Sequence, residues 1–520
     1  MSSAIVGGGS FSPEPGEPAK RGFHRRAPGL KWTTPALVLL TALGAGLRIA
    51  FLFQPMMYDE TVTYMYFASK PLPTALSYYP FPNNHLFHTL FVNFSTRLFG
   101  DAPWAIRLPA FIAGVLLIPA TYLVVKRLFN SKAGIIAAAL VAASSKLIFY
   151  SVNARGYTLQ ALIVLALVLA ADYILKSDRP GGWVAFAALA ALGLYTIPTT
   201  FYFIGAVIAW MLVSVIAKDS IAPTRVFLRK LVLAGLAAVA ATVLLYLPVL
   251  LTNGARALAL NGAGRPLAWS EFLHRLGSSI VGTWSGWNNA VPAVLSVFLA
   301  AGFVCSIAFH RRFAKRRVNL ALVTVAWCLL VVVAQRVVPF TRVWVPLIPL
   351  YLGFSAAGLW YVGSYALARL RRARVGSFSR ARGAVAVSLG LALFLGAMVL
   401  VVRSPYQPGD QITFPNAPQV ARALGKELRP GDIVYLEPNV RKPLEYYFAR
   451  YRIPRQYFYD FDRQQPGLTS IQRAYVIDVE QKRFPIASTL KRSNLGRNKH
   501  YIFRQVADFP SASVNQIMNL

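Results

Sequence analysis

Apolar runs long enough to cross a bilayer recur from Trp32 to Val402, and they fix the class of fold before any motif does. A helix needs about 20 mostly apolar residues to span the hydrocarbon core, where each backbone polar group must be satisfied within the segment. The runs fall at roughly 33–53, 107–125, 133–149, 158–175, 182–197, 199–217, 231–251, 291–309, 318–335, 343–363 and 383–402. They predict a polytopic α-helical membrane protein with about 11 transmembrane helices. A charged fraction of 14% supports this, since soluble chains carry about a quarter.

Charge orients the chain. Basic clusters at Lys20–Lys31, Lys126–Lys132, Lys176–Arg179, Lys218–Lys230, Arg311–Arg317 and Arg369–Arg382 all fall on one side of that span order. This is the positive-inside pattern. It puts the N-terminus in the cytoplasm, and an odd span number puts the C-terminal part outside. Topology and attraction to anionic lipid account for the net charge of +35. No nucleic-acid module is visible, whereas an anionic substrate is compatible with the charge. Residues 1–32, rich in Gly, Pro and Ser, read as a disordered basic cytoplasmic tail ahead of an uncleaved anchor. Cys305 and Cys328 lie in apolar runs and form neither a disulfide framework nor a metal spacing.

Within the 33–402 core two external loops are long, 54–106 and 252–290; beyond it lies the soluble segment 403–520. The first loop holds two candidate surface helices, Tyr58–Ser69 and His85–Phe99. The 403–520 segment reads as a small extracytoplasmic α/β domain. Helical spacing covers Pro415–Leu428 and Lys442–Tyr451; Ile433–Leu436, Ala474–Val479 and Tyr501–Val506 look like strands.

The stretch Met56–Tyr64, MMYDETVTY, then stands out. Two adjacent carboxylates, Asp59 and Glu60, follow the first span of a chain poor in acid. One reading is a pair favouring a helix N-terminus. The other is a functional site, because ionisable groups at a membrane cavity mouth are costly. Further pieces follow in order: Asn83-Asn84-His85-Leu86, Leu98-Phe99-Gly100, Arg107-Leu108-Pro109, Arg155-Gly156-Tyr157, and Arg342 with Pro346. In order and spacing, residues 33 to about 363 resemble the GT-C superfamily membrane glycosyltransferases of the protein O-mannosyltransferase and aminoarabinose-transferase (ArnT-like) type. Many relatives carry Pro where this chain has His85.

The resemblance implies transfer of a sugar from a polyprenyl-phosphate-linked donor to an acceptor hydroxyl on the extracytoplasmic face, with inversion. Acceptor classes are a glycan, a lipid or a protein. Asp59 matches the family acid and would be the base, with Glu60 as the alternative or a supporting group. Arg155 and Arg342, then Lys70 and Arg265, would hold the donor phosphate. Arg48 would pair with Asp59 or reach lipid headgroups. Tyr58, Asn84, His85, Tyr157 and Trp284 are the candidate substrate-binding residues. His85 and His88 share a helix face, which suits either a divalent metal ion or a plain polar surface; related enzymes often need no metal at the chemical step, so no cofactor is assigned. The expected place is a bacterial inner membrane with the catalytic side in the periplasm. The rival readings are an oligosaccharide ligase or polymerase using a lipid-linked glycan, and a lipid or sugar transporter. A transporter would show internal repeats, and none is visible.

Overall fold

The apolar runs fold as helices because a bilayer offers their backbones no other partner. The computed structural model describes residues 30–81, 83–260, 265–370, 377–406, 413–459, 473–479 and 501–519. The expected disordered tail over 1–32 therefore lies outside the described residues up to position 29. Among the described residues seven helices are long and apolar enough to cross a membrane, from Trp32–Leu52 to Ala381–Val402. An eighth candidate is a bent pair, Ser131–Ala142 and Ser145–Ser151. Three shorter apolar helices, Pro180–Thr196, Ala293–Ala308 and Leu320–Gln335, fall where further spans are expected. The chain is a multi-pass membrane protein.

Small residues set the closest helix approaches. A Cβ on Gly358 would sit 1.9 Å from the carbonyl oxygen of Gly302, so the Ala293–Ala308 and Ile348–Leu370 helices touch backbone to backbone. The expected span 133–149 breaks by 61° between Ala142 and Ser145. Arg48 occupies the break. It donates to the freed carbonyl of Ala142 (3.0 Å), to Gly44 O (2.8 Å) and to Ser151 Oγ (3.0 Å). Arg48 is fully buried and does not pair with Asp59, which corrects the expectation for it. A buried cation is tolerated there because carbonyl oxygens complete its shell.

The first loop forms a compact cap on one end of the helices. Tyr58–Val62 is α-helical and runs into a π-helical turn, Thr63–Ala68. Leu72–Ser77 and Leu86–Phe99 follow. In the second loop, Trp269–Trp287 is an amphipathic helix. The C-terminal part holds helices Ala417–Glu427 and Pro438–Arg450 and a four-stranded sheet. The strands are β1 (Ile433–Tyr435), β2 (Arg473–Val479), β3 (Tyr501–Phe509) and β4 (Ala512–Asn519), in the order β1-β2-β4-β3. β1 pairs with β2 in parallel and the other pairs are antiparallel.

The sheet domain sits on the first loop. One apolar cluster takes in Met56, Met65 and Val92 from the loop and Val440, Leu444 and Tyr447 from the C-terminal helix. The Tyr447 hydroxyl accepts from Met56 N–H (3.1 Å), and Arg450 pairs with Asp101 at 2.6 Å.

Candidate active site

The two carboxylates of the acidic pair part company in the fold. Glu60 is fully buried and all its valences are met. Its Oε1 accepts from Met57 N–H at 2.9 Å, closing the start of its own helix in the way an N3 glutamate does. Oε2 accepts from Ala154 N–H (3.0 Å) and from Arg107 Nε (2.9 Å), and Arg107 Nη2 reaches Oε1 as well. Arg107 also donates to the carbonyls of Leu52 (2.7 Å), Gln54 (2.6 Å) and Pro55 (3.0 Å). Those contacts close the end of the first transmembrane helix. The helix-end reading of the pair therefore describes Glu60.

Asp59 faces the other way and is only partly buried. Among the described residues, its one charged neighbour within 4 Å is Arg342, whose Nη1 stands 3.9 Å from Oδ2. Both side chains keep some exposure, 16% for Asp59 and 28% for Arg342. Such a carboxylate is held in place yet open to an incoming hydrogen-bond donor. The short helix and π-helical turn fix its direction, and π-helical turns often mark functional sites.

The remaining motif pieces interlock behind this pair. Arg155 is 2% exposed and donates to Asn83 O (2.9 Å), Asn83 Oδ1 (2.8 Å) and Thr63 Oγ1 (3.2 Å). Gly156 N–H donates to His85 Nδ1 at 2.9 Å. On the other side of the ring Nε2 lies 3.2 Å from a guanidinium nitrogen of Arg155. Tyr157 meets the His85 ring edge-on, centroids 5.3 Å apart. Asn84 is buried and ties the loop, donating to the carbonyls of Ala75 and Tyr78 at 3.0 Å each.

Both histidines of this helix are kept neutral. Burial first, then the nearby Arg155, holds His85 well below the ordinary histidine range. The same causes bring His88 down to about 3. Among the described residues neither ring nitrogen of His88 has a hydrogen-bond partner, and no group of three His, Cys, Asp or Glu side chains is arranged to hold a metal. A metal on His85 and His88 would have to displace the contacts of His85 to Gly156 and Arg155.

Two cavities bear on the expected binding residues. One is an apolar groove of about 490 Å³ lined by Trp284, Trp287, Cys328, Trp344 and Tyr351 among others. Its Trp344 lies two residues along the chain from Arg342, on the same 3-10 helical segment, Thr341–Leu347. The other cavity, about 430 Å³, is polar and includes Lys70. Arg265 is exposed ahead of the Trp269–Trp287 helix. Of the expected phosphate-binding cations, then, only Arg342 stands beside Asp59.

Two further residues near the site gave no signal in the sequence. Lys442 donates to the Tyr66 hydroxyl at 2.6 Å, and its neighbour Glu445 faces the same polar cavity. Burial would lower the Lys442 pKa, but the Tyr66 hydroxyl and Glu445 outweigh it and the ammonium is held above its usual range. Both residues come from the sheet domain, and nothing in their local sequence points to a loop nearly 400 positions away. Tyr58 is half-buried, and burial raises its hydroxyl pKa.

The helical core with its capping loop and sheet domain has the GT-C fold. Residues 83–246 match the family described as dolichyl-phosphate-mannose-protein mannosyltransferase, a segment that takes in the His85–Arg155 interlock and leaves Asp59 upstream. The fold is similar to the crystal structure of ArnT from Cupriavidus metallidurans in the apo state, with a TM-score of 0.59 and 16% identity, covering 93% of this chain and 98% of that one. The ArnT structure bound to undecaprenyl phosphate gives 0.58 and 15% over the same shares. No curated protein matches the chain in sequence.

Proposed function

We propose that the chain is an integral-membrane glycosyltransferase that moves a sugar from a polyprenyl-phosphate donor to an acceptor hydroxyl on the extracytoplasmic side. The observation that carries this reading is the partly exposed Asp59–Arg342 pair, whose Arg342 shares a short helical segment with Trp344 of the apolar groove. Asp59 takes the acceptor hydroxyl proton as the acceptor oxygen attacks the anomeric carbon. The bond from that carbon to the phosphate oxygen breaks, and polyprenyl phosphate leaves with the electron pair. A single displacement of this kind inverts the anomeric centre. Arg342, already beside the site, neutralises the departing phosphate. The groove takes the polyprenyl chain, with Trp284 and Trp344 against it.

The buried residues position these groups. Glu60 and Arg107 hold the Asp59 helix against the end of the first span. Arg155 holds the Asn83–His85 stretch from behind. The positive-inside pattern puts the basic ends of the helices in the cytoplasm and Asp59 and the sheet domain outside, in a bacterial inner membrane.

The test is release of polyprenyl phosphate by the purified full-length protein, given a panel of polyprenyl-phosphate sugars and a membrane extract as acceptor. Release that disappears in Asp59→Asn supports the reading. Release that persists in a folded Asp59→Asn protein removes Asp59 from the chemistry.

A further inference from the structure

The polar cavity beside the Asp59 helix is built by two parts of the chain. The first loop contributes Tyr66, Lys70, Thr74 and Tyr78, and the sheet domain contributes Glu445 and Arg455. Its charge is lopsided. The one carboxylate, Glu445, is matched on its own helix by Arg441 at 2.5 Å and Lys442 at 3.3 Å. Lys70 and Arg455 are exposed, and among the described residues no ion pair takes up either. Two cations, Lys70 and Arg455, thus line the cavity beside one carboxylate that is already paired.

The cavity is also aromatic. Tyr66 packs against Phe81 with centroids 6.3 Å apart, and Tyr78 packs against Phe67 at 6.2 Å. Rings of this kind give a sugar a flat apolar wall, while cations select a charged substituent. Tyr58, next to Asp59 in sequence, feels the charges of Asp59, Lys442 and Glu445 together. Lys70 lines this cavity while Arg342 stands beside Asp59 and does not line it, so the two cations serve different spaces.

We infer that this cleft is the acceptor site and that it takes an acceptor sugar bearing an anionic group, a phosphate or a carboxylate, held by Lys70 and Arg455. The inference rests on the transferase reading above and adds the chemistry of the acceptor. It also gives the sheet domain a role: it supplies Glu445 and Arg455 to the acceptor cleft. The charge of the acceptor is then read partly by a domain outside the membrane core.

Binding measures this without turnover. Full-length protein in nanodiscs of zwitterionic lipid is titrated with methyl glucoside, methyl glucoside 6-phosphate and methyl glucuronide. At least one charged probe is expected to bind about tenfold or more tightly than the neutral one, a difference of about 1.4 kcal/mol. Lys70→Ala and Arg455→Ala are each expected to erase most of that preference, and Lys70→Glu to reverse it. The relative affinity of the two charged probes tells phosphate from carboxylate. Equal or absent binding of charged and neutral probes overturns the inference, as does a charge preference that survives in both alanine variants. Thermal unfolding of each variant confirms that a lost preference is not a lost fold. If the probes fail while Asp59-dependent release stands, only the acceptor assignment falls. If they bind and no release is found, the transferase reading falls instead.

Discussion

Two groups of opposite charge mark the two ends of the helical core, and they are built on different plans. On the basic side Arg316 is 5% exposed and donates to Asp172 Oδ1 (2.8 Å), Asp172 O (2.7 Å) and Asp219 O (3.0 Å). Lys176 completes Asp172 at 2.9 Å, and Arg317 N–H completes Asp219. On the other side Asp59 and Arg342 face each other at 3.9 Å with room left around both. The first arrangement is closed and has no valence for a ligand. The second leaves a carboxylate oriented and available. Buried charge that is fully matched fixes a fold, while partly matched charge at a cavity mouth can do chemistry.

The largest expected effect tests the open pair. Asp59→Asn keeps the shape of the side chain and removes the base, so transfer should fall by about 10²–10⁴-fold. Thermal unfolding should stay close to wild type, because the carboxylate is partly exposed and has few partners to lose. A large drop in unfolding temperature would mean that Asp59 belongs with the closed type.

Next come the closed networks. Glu60→Gln leaves Arg107 buried with its charge uncompensated and should cost about 3–5 kcal/mol of stability; Arg316→Ala should cost less, because Lys176 still pairs with Asp172. Denaturation or thermal unfolding in detergent reads the loss. Arg316→Ala should retain transfer per folded molecule, since it sits at the far end of the core from Asp59. A stable Glu60→Gln protein without transfer would instead move the base to Glu60.

The distinction between Asp59 and Glu60 is what the sequence could not make. The residues are adjacent and chemically alike, and the pieces that separate them, Arg107 and Ala154, arrive 47 and 94 positions after Glu60. The helical core was far more legible, because a bilayer leaves apolar runs one way to fold. Its main surprise, the bend after Ala142, has a faint local sign in Ser144-Ser145, but the carbonyl partner that stabilises it is Arg48 in another helix. In the sheet domain β4 escaped notice. Its buried positions Ala512, Val514 and Gln516 alternate as a strand requires, but a glutamine among them masks the apolar period. The motif stretches around Asn83, Arg107 and Arg155 were legible as positions. Their mutual hydrogen bonds, which turn separate motifs into one support, were not.

A pH effect of intermediate size follows from His88. Its pKa falls from about 6.5 in the unfolded chain to about 3 in the fold, so the unfolded state binds the extra proton between those values. Its contribution is complete above pH ~6.5 and is lost progressively as the pH falls toward 3. Unfolding temperature should therefore decline from pH 6.5 to 4, and His88→Leu should flatten the decline. A slope unchanged by His88→Leu would mean that the ring is not enclosed.

The smallest effect is the control for reading ion pairs by distance. Glu271 and Arg275 are closer together than Asp59 and Arg342, 2.6 Å against 3.9 Å, but both are well exposed, 46% and 60%. They stand one helical turn apart on the Trp269–Trp287 helix. Solvent screens their attraction and ordering two long side chains offsets much of the rest, so Arg275→Gln should cost no more than about 0.5 kcal/mol. Transfer rates should barely change, whereas replacing Arg342 by Gln should slow release of polyprenyl phosphate by at least about tenfold, equivalent to about 1.4 kcal/mol of barrier. If both substitutions are equally silent, Arg342 is one more surface charge, and the open pair loses the cation that would draw the phosphate away. If only Arg342→Gln slows release, the longer pair carries the chemistry because of where its charges point, not because of how close they lie.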